Sequence, residues 1–127
     1  MGIEENKEVV RRYWDELNKG NLAYMDECFA DTFINYRIDG TTIDKNGYKE
    51  LNKSLLYSIP DLCSTVQDII SEGDIVAFYF TLTGTFEREY RGNPPTGKAV
   101  SFTEAYFARV VNGRITEFRN FQAQMKR

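Results

Sequence analysis

The chain contains no histidine among its 127 residues, and this absence decides much of the chemistry open to it. A Ser-His-Asp triad, a Cys-His nucleophile and a histidine-ligated metal site are all excluded. The two cysteines, Cys28 and Cys63, stand among apolar neighbours, which predicts buried reduced thiols rather than a disulfide. We expect neither a metal nor another cofactor.

One glycine-rich segment invites comparison with phosphate-binding loops. It is Gly92–Lys98, which reads GNPPTGK. Two prolines remove backbone N–H donors that a phosphate cradle would need, so the segment does not fit that pattern. We interpret it as a structural loop.

Length and composition predict one globular domain spanning residues 1–127, with 42% hydrophobic and 14% aromatic residues. The formal net charge is −3 and there is no basic run, which argues against partners such as nucleic acid or an anionic membrane surface. No stretch approaches the roughly 20 apolar residues of a membrane span. The charged N-terminus is unlike a signal peptide. We therefore expect a soluble, cytoplasmic protein.

Helical spacing of apolar residues predicts three helices. The first runs from Ile3 to Lys19 and ends at Gly20, and the second begins after Asn21. The third starts near Asp44 and stops at Pro60. The predicted inward stripe of the first helix comprises Val10, Tyr13, Trp14 and Leu17.

Strand patterns follow the helices along most of the chain. They cover 33–38, 62–70 and 75–86, and a hairpin is predicted at Asn112-Gly113. In the long strand Val76, Phe78, Phe80 and Leu82 alternate with more polar residues, so one face is expected to be buried. Helices before a run of antiparallel strands predict an α+β fold with the helices covering one sheet face.

Several short motifs resemble those of the SnoaL-like polyketide cyclase family. They read NKGN at 18–21, EGDIVA at 72–77, GT at 84–85, GNPPTGK at 92–98 and NGRITE at 112–117. The resemblance implies a cone-shaped fold of the cystatin-like, nuclear transport factor two-like type. In that fold a bent antiparallel sheet wraps around N-terminal helices and leaves one deep pocket. Family members commonly form dimers.

The resemblance also indicates which residues line the pocket. Family histidines stand at the positions of Tyr36, Phe86 and Phe118, and the family's acidic residue near the end of the last strand is replaced by Asn120. Aromatic walls with a few hydrogen-bonding groups suit a flat, largely apolar ligand that carries a carbonyl or hydroxyl. The expected ligand-binding set is Trp14, Tyr36, Phe78, Phe80, Phe86, Phe118, Asn120 and Gln122.

A two-residue turn at Asn112-Gly113 pairs Phe107 with Phe118 and Tyr106 with Arg119. With Phe118, Asn120 and Gln122 inward, the outward residues are Tyr79, Thr81, Glu104, Tyr106 and Arg119. This polar-aromatic outer face suits a homodimer interface as well as it suits an ordinary solvated surface. A one-residue bulge would exchange the two faces along part of a strand.

Three functional hypotheses remain open. The first is a protein that binds a small hydrophobic ligand without the usual acid–base residues. The second is a cyclase-, isomerase- or hydratase-type enzyme for a polyketide-, steroid- or terpenoid-like substrate. It would use Tyr36 as acid and Glu104 as base, which needs a bulge that turns Glu104 inward. Tyr36 with Asn120 could alternatively stabilise an enolate. The third is an assembly module.

Overall fold

The computed structural model describes residues 2–122, except for the side chain of Gln122. Along the chain the elements are α1 (Ile3–Asn18), a 3-10 turn (Leu22–Tyr24), α2 (Met25–Cys28), β1 (Phe29–Tyr36), β2 (Thr42–Asp44), α3 (Lys45–Ser58), β3 (Cys63–Glu72), β4 (Ile75–Thr85), β5 (Ala99–Val111) and β6 (Arg114–Gln122). The six strands form one bent, unclosed sheet in the order β2-β1-β6-β5-β4-β3. The predicted α+β fold is confirmed. None of its helices within 2–122 is long and apolar enough to cross a membrane.

Helix α1 buries the predicted stripe. Val10, Tyr13, Trp14 and Leu17 are each at most 3% exposed and join the core cluster. Gly20, with φ +75°, closes the helix in a conformation that L side chains rarely adopt. The second helix is shorter than predicted because Phe29 already belongs to β1 and pairs with Ile115 of β6, where ladder bonds replace helical ones.

Helix α3 begins and ends where the sequence predicts. The Asp44 carboxylate accepts a hydrogen bond from the Gly47 N–H at 2.8 Å, which makes Asp44 the N-cap. At the other end, the Ser58 carbonyl accepts from the Glu87 N–H at 2.9 Å, and the Ser58 hydroxyl donates to the Glu89 carbonyl at 2.8 Å. The loop after β4 is thereby held against the end of α3.

The sheet contains one parallel pair that the sequence did not indicate. Strand β1 pairs with β6, and Asn35 stands beside Phe118 while Tyr36 stands beside Arg119. The other strand pairs are antiparallel. Strand β2, only three residues long, was also missed because it is too short to show an alternation.

The β5–β6 hairpin has the predicted turn but a different register. Asn112 and Gly113 have φ of +52° and +76°, as a two-residue turn of this type requires. Beyond the turn, the register shifts by one residue and Thr116 is the extra residue on β6. From there Ala108 faces Phe118 and Tyr106 faces Asn120, so the predicted pairs Phe107–Phe118 and Tyr106–Arg119 are wrong.

The bulge reverses the predicted faces of β5. Tyr106 is buried at 5% exposure, Glu104 turns towards a cavity, and Phe107 is outward at 49% exposure. On β6, Phe118 is fully buried and Asn120 is 5% exposed, both inward as predicted. The outward assignment of Glu104 and Tyr106 is therefore corrected.

Strand β3 forms one edge of the sheet, and a side chain of α1 covers part of that edge. The Asn18 side-chain oxygen accepts from the Ser64 N–H at 2.7 Å, and its amide nitrogen donates to the Ser64 carbonyl at 2.8 Å. Cys63 at the start of β3 is exposed, against the prediction that both cysteines are buried, whereas Cys28 is buried. Cys63 lies on the opposite face of β3 from its buried neighbour Ser64.

Candidate functional site

A cavity lies between α3 and the inner face of the sheet. It has two adjoining parts, an inner chamber of about 100 Å³ and an outer cavity of about 580 Å³. The outer cavity is within the size range of small-molecule sites. The residues that line both parts are Arg37, Leu55, Tyr90, Phe102 and Glu104.

The inner chamber combines aromatic walls with hydroxyl and amide groups. Trp14 and Phe80 supply aromatic surface, and Tyr48 of α3 faces Tyr106 of β5 with their hydroxyl oxygens 3.3 Å apart. Two hydroxyl groups carry two hydrogens, but only one hydrogen can lie between the two oxygens. One O–H donor is therefore left over, and it is that of Tyr106 when Tyr48 donates within the pair.

Both tyrosines remain protonated throughout the neutral range. Burial is the largest cause that raises the pKa of Tyr48 and of Tyr106 well above the ordinary tyrosine value. For Tyr106 the negative charge of Glu104 is the next cause in the same direction. The pair can thus donate hydrogen bonds but does not serve as a base.

Glu104 stands where the inner chamber meets the outer cavity. Burial raises the pKa of its carboxyl group, while a hydrogen bond from Asn120 and the charge of Arg37 act in the opposite direction. The Asn120 amide nitrogen lies 3.5 Å from Glu104 Oε2. Glu104 is thus a partly desolvated carboxylate whose proton affinity is raised towards neutral pH.

A buried asparagine fixes the orientation of Asn120. Asn35 is fully buried, and its amide nitrogen donates to Asn120 Oδ1 at 2.8 Å and to the Phe118 carbonyl at 3.3 Å. Because the Asn120 oxygen accepts this bond, its amide nitrogen is left to face Glu104. Asn35, Asn120 and Glu104 thereby form a connected polar row across β1, β6 and β5.

Tyr36 does not line the cavity, contrary to the expectation. It neighbours the inward Asn35 in β1, so its side chain points to the opposite face. There the Arg119 guanidinium lies 4.2 Å from the centre of its ring. The pairing of Tyr36 with Asn120 as an enolate-stabilising pair, and the role of Tyr36 as acid, are excluded by this geometry.

The remaining expected ligand contacts divide between the cavity wall and the core beneath it. Trp14, Phe80 and Asn120 line the inner chamber, and Phe86 lines the outer cavity. Phe78 and Phe118 instead pack under Tyr106, with ring centres 5.6 and 4.9 Å from it. Because aromatic neighbours surround both rings, neither reaches the cavity. The side chain of Gln122 lies outside the described part of the chain.

Several cavity residues were missed in the sequence. Arg37, directly after β1, stands two positions beyond the inward Asn35 and was hidden by the choice of Tyr36 as the inward residue. Tyr48 and Leu55 belong to the apolar spacing that predicts the third helix. This spacing indicates a buried helix face but does not show that the face lines a cavity. Tyr106 was placed outward because the bulge at Thr116 leaves no mark in the alternation, and Phe102, on the same face of β5, was missed with it.

No residues within 2–122 form a group of three or more His, Cys, Asp or Glu side chains placed to hold a metal ion. The buried thiol of Cys28 is unreactive in this environment, since burial raises its pKa to about 12. Among the described residues that line the cavity, Glu104 is the only carboxylate.

Comparisons with known proteins agree on family and fold. The family described as SnoaL-like polyketide cyclase matches residues 7–126. AclR from Streptomyces galilaeus, a proposed hydroxylase, is similar with a TM-score of 0.88 and 25% identity over 96% of this chain and 91% of its own. IdmH from Streptomyces antibioticus, a proposed polyketide cyclase, has a TM-score of 0.81 and 28% identity over 91% and 90%. A search among curated proteins finds no match.

Proposed function

Because this chain belongs to the SnoaL-like polyketide cyclase family, we propose that its cavity takes a flat, largely apolar carbonyl compound on which Glu104 acts as general base. The observation that carries the proposal is the position of Glu104, a partly buried carboxylate at the junction of the inner chamber and the outer cavity. General bases work best when their pKa lies near the operating pH, and burial moves Glu104 in that direction.

The proposed reaction begins with removal of a proton from the carbon next to a carbonyl group. The Glu104 carboxylate takes the proton, and the electron pair of the C–H bond moves to the carbonyl oxygen as an enolate. The spare O–H of the Tyr48–Tyr106 pair donates to this oxygen. Where a double bond extends the enolate, return of the proton from Glu104 at another carbon gives an isomer. Attack of the enolate carbon on a second carbonyl closes a ring, and the alkoxide so formed takes the proton back from Glu104.

The positions of Glu104 and Tyr106 suit this division of roles. They lie two residues apart on the inward face of β5, and such residues are about 6.8 Å apart along a strand. A base at one point and a donor at the other can act on the α-carbon and the oxygen of one ketone. Asn35 holds Asn120, and Asn120 in turn holds Glu104, so the base is positioned before the ligand enters.

A second candidate function is binding of the same class of ligand without reaction. The feature in its favour is that Tyr36, Phe86 and Phe118 stand where the family resemblance places histidines. The cavity would then be an aromatic-walled container, with Glu104 and Asn120 serving only to orient the ligand.

Proton exchange on a simple probe separates the two functions. We expect the protein to accelerate exchange of the α-hydrogens of 2-tetralone in D2O, followed by proton NMR. In E104Q the acceleration should fall by a factor of about 10² to 10⁴, because a general base contributes that much. The matched control is E87Q, at an exposed glutamate outside the cavity, which should exchange like the wild type.

Equal exchange in the wild type and E104Q would contradict the role of Glu104. Stabilisation of the protein by 2-tetralone in a thermal shift assay, without any accelerated exchange, would favour the binding function instead. Circular dichroism of E104Q would establish that the variant is folded before its exchange rate is compared.

A further inference from the structure

Arg37 is held at a fixed place on the cavity wall. It follows β1 directly, and its backbone N–H donates to the Thr41 carbonyl at 2.9 Å across a tight turn. The turn is closed further by the Asp39 carboxylate, which accepts from the Thr41 N–H at 2.9 Å. The side chain of Arg37 is half-buried and lines both the inner chamber and the outer cavity.

The guanidinium of Arg37 has no ion pair or hydrogen bond with residues 2–122, unlike those of the sheet arginines Arg109 and Arg119. Arg109 pairs with Asp74 at 2.7 Å, and Arg119 pairs with Glu117 at 2.9 Å. Arg37 acts on Glu104 only through its charge, without a contact between the two. A guanidinium carries five N–H donors, and those of Arg37 are left for another acceptor.

The surroundings of Arg37 strengthen its interaction with an anion. Among the described residues that line the cavity it is the only basic one, and the adjoining walls at Leu55, Phe86 and Phe102 are apolar. Charges attract more strongly next to such surfaces than in water. A guanidinium also matches the planar, two-oxygen geometry of a carboxylate.

We propose that Arg37 binds a carboxylate group of the ligand, so that the cavity prefers flat aromatic acids over their neutral counterparts. The inference rests on the proposed function only in that the cavity is a ligand site. The carboxylate lies on the Arg37 side of the outer cavity, and the remaining ring system extends past Phe102 towards the inner chamber. The like charge of Glu104 keeps the carboxylate of the ligand away from the base.

Calorimetric titration with 2-naphthoate and 2-naphthamide tests this preference, because the two probes share shape and differ in charge. We expect the acid to bind the wild type about tenfold more tightly than the amide, the usual advantage of a charged over a neutral hydrogen bond. In R37M the two affinities should become equal, and R37K should retain part of the preference. The control R114M, at an exposed arginine of the β5–β6 turn, should behave like the wild type.

Three results would overturn the inference. They are equal affinities for both probes in the wild type, a preference that survives in R37M, and no binding of naphthoate up to its solubility limit. If R37M keeps the preference while the pH dependence of tetralone exchange shifts, then Arg37 is a counter-ion of Glu104 and not a ligand contact. If E104Q loses proton exchange but keeps the preference for naphthoate, then Glu104 acts as the base and Arg37 binds the carboxylate independently of it.

Discussion

At the scale of single residues, Glu104 is the cavity carboxylate whose pKa is shifted by its surroundings. Glu104 forms no ion pair with residues 2–122, and its stabilising hydrogen bond from Asn120 is long, at 3.5 Å. Burial therefore remains the largest influence, and it favours the neutral acid. Ionisation of such a buried carboxyl group lowers the free energy of unfolding. This change can be measured without knowledge of the ligand.

The first prediction concerns stability against pH. The native pKa of Glu104 is raised above that of the unfolded chain, so between the two values the native state binds more protons. The contribution of Glu104 to the free energy of unfolding is full below about pH 4.3 and is lost as pH rises through the native pKa. Urea denaturation of the wild type and E104Q across pH 4 to 8 should show the wild type losing stability relative to the variant.

E87Q provides the reference for this prediction, because Glu87 is exposed. Its stability should follow the wild type at every pH. A constant difference between the wild type and E104Q over the whole range would mean that the carboxyl group of Glu104 titrates alike in the folded and unfolded chains.

At the scale of elements, the cavity depends on one extra residue in β6. Thr116 has no partner on β5, and its hydroxyl donates to the Arg109 carbonyl at 3.3 Å. Beyond this bulge, the same face of the sheet presents Tyr106 and Glu104 from β5 together with Phe118 and Asn120 from β6. Without it, the inward residues of one strand would lie opposite the outward residues of the other.

The second prediction is that insertion of an alanine after Thr116 severely destabilises the protein. With one further residue on β6, a single-residue bulge no longer sets Phe118 opposite Ala108, and Phe118 falls opposite the outward Phe107. We expect a loss of at least about 3 kcal/mol in the free energy of unfolding, as for removal of a buried aromatic side chain. The control T116S keeps the residue count and the hydroxyl donor. Similar urea midpoints for the two variants would show that the bulge accommodates a second extra residue.

The elements that could be predicted from the sequence are those determined locally. The stripe of α1, the Asp44 cap of α3 and the turn at Asn112-Gly113 each depend on residues close together in the chain. The β1–β6 pairing and the bulge depend on contacts between distant segments, and no local pattern encodes them. For the same reason Tyr36 was chosen instead of its neighbour Arg37, and Glu104 was assigned to the wrong face.

At the scale of the whole molecule, the outer face of the sheet carries an exposed aromatic surface. Phe107, Phe121 and Tyr79 are 49%, 45% and 37% exposed, and the rings of Phe107 and Phe121 lie 5.5 Å apart. Arg119, stacked on Tyr36, borders them. Aromatic residues and arginine are enriched in subunit interfaces. We retain the proposal of a homodimer through this face, which now includes Phe107 and no longer includes Tyr106 or Glu104.

The third prediction follows from that surface. F107E places a charge among the aromatic side chains and should convert the dimer into a monomer, because an unpaired charge is costly in a buried interface. Sedimentation equilibrium of the wild type and the variant measures the change. The matched control is Y57E, at an exposed aromatic residue of α3, which should remain dimeric. A monomeric wild type would contradict the proposed interface.

The hydrogen bonds between the Asn18 side chain and the Ser64 backbone affect how the protein associates with other chains. Towards Ser64 the Asn18 carboxamide presents one N–H donor and its oxygen acceptor, as a peptide group would, so Asn18 occupies the hydrogen-bonding positions that a seventh strand would use. Exposed sheet edges recruit extended segments of other chains and seed aggregates. At this position a single side chain of α1, that of Asn18, occupies the edge of β3. It thereby prevents another strand from extending the sheet there.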